Sequence, residues 1–246
     1  MIARMERAVH SVSHSESSFG AIVRAAAFRW LCFALMTVAA VLNESVPGRK
    51  LDDPLLSVIP FVPFVERWNY WLWLVAWIPG TFALLAIDRA RFVRLMLAGG
   101  ISSLLRGLCI IATSLGPVRG DDINSALPWD LDLYLRVIGQ ILDPFAVFVE
   151  HSASVWLTKD LFFSGHTEST LLLVLYSWRH PRLRNVGLAL HGVVVLSLFL
   201  GHIHYTIDVI GGWVAAIFVF FVMERLLGNE RSTAVGDREV LPVESR

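Results

Sequence analysis

Two short segments carry residue types that could do chemistry: Asp160-Leu161-Phe162-Phe163-Ser164-Gly165-His166-Thr167, and His204-Tyr205-Thr206-Ile207-Asp208-Val209. Each lies at the edge of a long apolar run. His204 and Asp208 are four apart, so a helix would put them on one face within hydrogen-bonding reach. A carboxylate on one ring nitrogen fixes the tautomer and leaves the other nitrogen as a nucleophile. It also stabilises the positive ring once that ring carries phosphate. Ser164-Gly165-His166 stands where a helix should begin. Helix N-terminal amides, with a glycine permitting close approach, form an anion cradle. His166 beside that cradle is placed to protonate a departing alkoxide. The chemistry these groups suit is movement of a phosphoryl group on a lipid through a histidine-bound intermediate. Taken singly, each segment also has a plain structural reading: a tethering pair at a helix end, a serine N-cap, a turn glycine and an interfacial histidine. Their occurrence together, at one membrane boundary, favours chemistry.

Other polar residues bear on the same site. Arg106 falls inside an apolar run, with Thr113 and Ser114 further on. An arginine at membrane depth is costly unless it snorkels, pairs or lines a wet cavity. Two roles stay open for it: holding phosphate through bidentate bonds, or pairing with a buried carboxylate. Asp160 suits an orienting or helix-start charge better than an acid catalyst. Glu168, two residues past His166, projects elsewhere on the helix, and Arg106 is its candidate partner. Lys159 could attract anionic lipid, but is expected as a solvated loop lysine. His202 is off the face of His204 and is expected at the interface. His151, His180 and His191 have no partner in the sequence.

Composition makes this an integral membrane protein. Charged residues are 17% of the 246, against about 25% in an average soluble domain, and the mean hydropathy is +0.60. The apolar residues fall into blocks of about 20, the length of a membrane-spanning helix. The 21 basic and 21 acidic residues balance, so no basic surplus points to nucleic acid. Cys32 and Cys109 lie within expected spans and fit neither a disulfide framework nor a zinc site. No carboxylate cluster suggests a metal, and no cofactor is expected.

Six spans are expected, near 21–42, 68–87, 95–115, 161–178, 186–204 and 207–227, in one all-α domain over residues 21–228. Polar tails cover 1–20 and 229–246, the second expected to be disordered. The first apolar run is too long for a signal peptide and is read as a retained span. Between the first two spans, prolines in 43–67 argue against a continuous helix. Within 116–159, the middle at 131–149 suits an amphipathic or re-entrant helix. The turns 88–94 and 179–184 hold three arginines each, so the positive-inside rule puts them and both termini in the cytoplasm. Both histidine segments then face the outer side. No internal repeat of the transporter kind is present.

The two segments resemble the sphingomyelin synthase family, a branch of the type 2 phosphatidate phosphatase superfamily. The family pattern Gly-Asp-x-Leu-[Phe/Tyr]-Ser-Gly-His-Thr is similar to Asp160 through Thr167, with Lys159 in place of the glycine. The pattern His-Tyr-Thr-x-Asp-Val is complete from His204 to Val209. Arg106 with Thr113-Ser114-Leu115-Gly116-Pro117 resembles a third segment, slightly altered, and Asp53-Pro54-Leu55-Leu56-Ser57 partly echoes a fourth.

The resemblance implies a six-span bundle with an outward-facing site and a catalytic triad of His166, His204 and Asp208. It also implies that phosphocholine or phosphoethanolamine passes from a glycerophospholipid to ceramide or another lipid alcohol. Arg106, Asp160, Ser164 and Gly165 are the candidate substrate-binding residues. The phosphatase branch carries an arginine where this chain has Leu198, and a Lys-x6-Arg-Pro element with no clear counterpart here. A phosphate monoester carries about −1.5 to −2 charge and a phospholipid diester about one, so fewer cations favour a diester. Hydrolysis by the same machinery, and a non-catalytic lipid-binding protein, are the alternatives.

Overall fold

The computed structural model describes residues 18–143 and 156–236, and among these every regular element is helical. The helices are α1 (Phe19–Glu44), α2 (Pro54–Val58), α3 (Pro63–Ile87), α4 (Arg89–Thr113), α5 (Leu131–Leu142), α6 (Gly165–Tyr176), α7 (Pro181–Leu200) and α8 (Thr206–Gly236). Five of them are long and apolar enough to cross a membrane: α1, α3, α4, α7, and α8 over Thr206–Leu227. This is consistent with a multi-pass integral membrane protein.

The segment expected as a span near 161–178 is helical only over the 12 residues of α6. At 1.5 Å per residue that is about 18 Å, short of the roughly 30 Å hydrocarbon layer. Ser164 sets its start: the side chain caps the helix by accepting from Thr167 N, while residues 161–164 stay non-helical. Most of α6 is buried, including its polar residues Thr167, Glu168, Ser169 and Thr170. It is an internal helix, packed against α3, α4, α7 and α8.

Other boundaries differ for local reasons. The basic turn expected at 88–94 reduces to Asp88, whose carboxylate caps α4 by accepting from Arg91 N. The arginines after it are helical. At the second basic turn, Pro181 opens α7, a position where the missing N–H costs nothing. Pro63 does the same for α3. In the proline-containing connection, only the short α2 forms, capped by Asp53. Helix α8 runs to Gly236, beyond the expected end at 227 and into the expected tail. The amphipathic helix expected within 131–149 is α5, which lays Val137 and Ile141 against Val41 of α1. His151 and residues 144–149 lie outside the described residues.

Helices α1 and α4 run parallel, with a seam of small residues between them. A Cβ on Gly100 would meet the Phe28 ring at 2.6 Å, and one on Gly107 would lie 3.3 Å from Met36 Cα. In lipid there is no hydrophobic drive to bring helices together, so close backbone approach at small residues supplies the packing. The main core joins α1, α3, α4, α6 and α8 through Ala25, Leu84, Leu95, Leu172, Tyr176 and Ala216.

The helix ends sort into two sets. At one end, Asp88 between α3 and α4 meets His180 between α6 and α7, with Nε2 3.2 Å from Oδ2. The two basic turns are therefore neighbours. At the other end, Arg49 N donates to Ser114 O and Gly116 N to Arg49 O, joining the chain after α1 to the end of α4. Val62 N donates to Leu200 O there. Both histidine segments open onto this second end. A small apolar cluster of Leu56, Leu115, Leu161 and Tyr205 closes over it.

Candidate active site

The starts of α6 and α8 are held against each other. Ser164 N donates to Asp208 O at 2.9 Å, so the turn carrying His166 hangs on the residue that supports His204. Two glycines on α8 permit this approach. A Cβ on Gly212 would lie 2.8 Å from Ser164 O and 2.9 Å from Thr167 Cβ, and one on Gly211 would meet the Phe162 ring at 2.8 Å. Gly212→Ala is therefore expected to force the two helix starts apart, costing about 1–3 kcal/mol and most of any turnover. Gly192→Ala is the control, because a Cβ there meets nothing within 4 Å. Thermal unfolding in detergent, measured on both variants, checks the contrast.

The arrangement brings the two imidazoles together. The His166 and His204 ring centroids are 5.9 Å apart, at an interplanar angle of 64°. His204 is buried and Asp208 is fully buried. Nδ1 of His204 lies 3.5 Å from Asp208 Oδ2, which leaves Nε2 as the free face of the ring. The same Oδ2 accepts from Tyr205 N at 2.9 Å. An acidic residue three positions into a helix that reaches back to the cap amide is half of a capping box, and it fixes the carboxylate. His166 Nε2, His204 Nδ1 and Asp208 Oδ1 are all buried without a hydrogen-bond partner. Buried polar atoms are nearly always paired, so three orphans around one point mark unused bonding capacity. Catalytic hydrogen bonds of the His204–Asp208 kind are commonly long until substrate tightens them.

The Ser-Gly-His turn divides its work differently from the expectation. Ser164 is a cap: its Oγ accepts from Thr167 N at 3.4 Å and from Thr167 Oγ1 at 3.1 Å. The amides of Gly165 and His166, one and two residues into α6, have no carbonyl to meet within their own helix. Gly165 makes room for an arginine. A Cβ there would sit 3.2 Å from Arg106 Cζ and Nε.

Arg106 is buried, and of its two open roles the structure displays the pairing one. Its Nη2 is 3.1 Å from Asp160 Oδ2 and also donates to Asp160 O, while Nε donates to Phe163 O at 2.7 Å. The guanidinium thus pins the segment leading into Ser164. Glu168 is not its ion-pair partner. Glu168 instead lies with Arg29, Trp77 and Gly99 around a small cavity between α1, α3, α4 and α6.

Lys159, expected in solvent, is completely buried. Its Nζ donates to Asp122 Oδ1 at 2.8 Å, to Glu44 O at 2.7 Å and to Val46 O at 2.8 Å. The reason is local crowding of acceptors: the end of α1 and the 114–130 connection converge on one point and need a cation.

Three groups around the site were not among the candidate site residues read from the sequence. Asp53 accepts from Thr206 N at 2.6 Å and from Thr206 Oγ1 at 2.9 Å, tying the chain before α2 to the start of α8. Burial pushes its carboxyl up, but these bonds and those from the Leu56 and Leu55 amides outweigh burial and hold it below the usual value. Its only sequence signal was the partial echo around Asp53-Pro54. Trp73 packs edge-on to His166 at 5.2 Å and donates to Ser169 Oγ at 2.9 Å. His191 bridges to Thr170 and Trp213. His202, expected at the interface, bonds through Nε2 to Ile59 O at 3.0 Å.

Residues 159–225 match the family model described as PAP2 superfamily C-terminal. The match takes in α6, α7, most of α8 and the segment that Arg106 pins, and so contains His166, His204 and Asp208. It supports membership of the type 2 phosphatidate phosphatase superfamily, whose members are phosphatases and phosphotransferases, and so supports an enzyme. No curated protein matches the chain.

Proposed function

We propose that this protein is a membrane phosphotransferase that moves a phosphocholine- or phosphoethanolamine-type head group from a glycerophospholipid to a lipid alcohol of the ceramide kind. The observation that carries the reading is the convergence of His166 and His204 at 5.9 Å, with Asp208 behind His204, inside the segment similar to the superfamily.

In the first step His204 Nε2 attacks phosphorus, forming a P–N bond as the P–O bond to diacylglycerol breaks. His166 gives its proton to the departing oxygen. In the second step His166 takes the proton of the acceptor hydroxyl, whose oxygen attacks phosphorus as the P–N bond breaks. Asp208 stabilises the positive imidazole between the steps. The amides of Gly165 and His166 offer partners to the phosphoryl oxygens as charge develops.

Charge supports a diester substrate. Arg106, which packs against Gly165, and Lys159, five residues before Ser164, are each engaged by a carboxylate and backbone carbonyls. The position where the phosphatase branch has arginine is Leu198, fully buried. A phosphate monoester at about −1.5 to −2 charge would gain little from either cation. The active site is read as facing the outer leaflet, opposite the arginine-rich turns.

The test is reconstitution with head-group-labelled phosphatidylcholine or phosphatidylethanolamine, with and without ceramide. Label in a ceramide phospholipid is the expected result. Water-soluble head-group phosphate formed without ceramide would replace transfer by hydrolysis. No turnover in either arm, with lipid still bound, would leave only the non-catalytic reading.

A further inference from the structure

His191 sits in the middle of α7 and links three helices. Its Nδ1 lies 2.8 Å from Thr170 Oγ1 on α6, and its Nε2 lies 3.0 Å from Trp213 Nε1 on α8. An indole N–H can only donate, so Nε2 is the unprotonated acceptor and Nδ1 carries the hydrogen. Thr170 Oγ1 donates its one hydrogen to His166 O at 2.7 Å, so it accepts from His191. Both ends of the ring thus fix the same neutral tautomer.

We infer that His191 is a positioning residue for His166, acting through a hydrogen-bond chain that runs from Trp213 through His191 and Thr170 to the His166 carbonyl. The inference rests on the proposed role of His166 in proton transfer. His166 needs such support. It lies in the first turn of α6, where helices fray. Its Nε2 makes no hydrogen bond, so the ring is aimed by its backbone and by the edge contacts with Trp73 and His204. The chain fastens that backbone to α8, the helix that also carries Asp208. It adds a second tie between α6 and α8 to the Ser164–Asp208 bond. The two histidines and the carboxylate are thereby referred to one rigid element. Group transfer depends on such precision, since misplacement by about 1 Å can cost about 10²-fold.

Two measurements test this. The first needs no turnover: nitrogen NMR of ¹⁵N-histidine-labelled protein in detergent micelles. His191 is expected as the neutral Nδ1–H tautomer, and Thr170→Val, which removes the hydroxyl at nearly constant volume, is expected to shift the His166 ring signals. The second is kinetics on labelled phospholipid. His191→Leu and Thr170→Val should each lower kcat roughly tenfold with KM unchanged, and the double variant should fall no further than the worse single. His191→Asn keeps a donor near the Nδ1 position and should restore most of kcat, whereas His191→Gln, which offers its amide at the Nε2 position, should not.

An Nε2–H tautomer, His166 signals unmoved by Thr170→Val, or single effects that multiply in the double variant would overturn the inference. If the NMR linkage holds while the wild-type protein turns over no lipid in either assay arm, the proposed function fails instead, and the catalytic purpose assigned to His191 falls with it.

Discussion

His204→Ala is expected to lower phospholipid turnover by at least about 10⁴-fold, because losing the nucleophile of a covalent mechanism removes the route rather than a fraction of its rate. The variant should stay folded. His204 Nδ1 has no hydrogen-bond partner, and the Asp208 Oδ2 it faces keeps the Tyr205 amide at 2.9 Å. Removing the ring takes its 3.5 Å neighbour from Asp208 Oδ2 but leaves that oxygen its hydrogen bond from the Tyr205 amide. The fold cost is that of a cavity near the protein's site end. A phosphorus-labelled donor, quenched in alkaline denaturant where phosphohistidine survives, should label the wild-type chain and leave His204→Ala unlabelled. Wild-type activity with no labelled chain at any time, or activity surviving in the alanine variant, would remove His204 as the nucleophile. His166→Ala makes a useful contrast. It should slow both labelling and turnover without abolishing the capacity to be labelled, because it removes a proton donor and leaves the attacking nitrogen in place.

Apolar runs made the long helices legible, since a stretch that must cross lipid can be little else than helix. The same logic misjudged the segment near 161–178. Leu161, Phe162 and Phe163 are apolar and look like the start of a span, yet Ser164 caps a helix that begins only at Gly165. Apolarity reports burial, and a pinned non-helical segment is buried as well as a helix is. Charge was equally ambiguous at the basic turns, where Asp88 and Pro181 are better helix starts than the arginines are loop markers.

The site divides along a similar line. His204 and Asp208 were readable because four-residue spacing is a local signal, and His166 because a Ser-Gly turn marks a helix start. Their meeting depends on Gly211 and Gly212, whose need for close approach is not visible until Ser164 and Phe162 lie against them. Arg106 announced itself as a buried cation, but its partner Asp160 stands 54 positions away. His191 seemed isolated because Thr170 and Trp213 belong to two other helices. Local spacing identified the reacting groups. The groups that hold them in place are specified by long-range packing.

Lys159→Met is expected to destabilise the folded protein by about 3–5 kcal/mol, the cost of breaking a buried ion pair from one side. Methionine fits the volume, so the loss is electrostatic. It leaves the Asp122 carboxylate without its cation and the carbonyls of Glu44 and Val46 without their donor. The pH dependence identifies the cause. Burial pushes the Asp122 carboxyl up, but the Lys159 bond and charge, with the Gly48 and Ser125 amides, outweigh it and hold it below the usual range. A carboxyl lowered by folding adds stability above its unfolded pKa, about 3.9, and that stability is lost as pH falls through the lower folded value. Without Lys159 the half-buried carboxylate takes up a proton more readily. The gap between wild type and variant should therefore be widest near neutral pH and narrow as pH falls toward 4 and below. Unfolding in detergent at several pH values measures it. Lys159→Met/Asp122→Asn should recover part of the loss at neutral pH by removing the stranded charge. A gap that stays constant from pH 7 to pH 4, or no recovery in the double variant, would show that Lys159 contributes through packing alone. The functional consequence follows from position. Lys159 immediately precedes Asp160, and Asp160 with Phe163 receives Arg106. Loosening this clamp should thus reduce turnover even at temperatures where the variant remains folded.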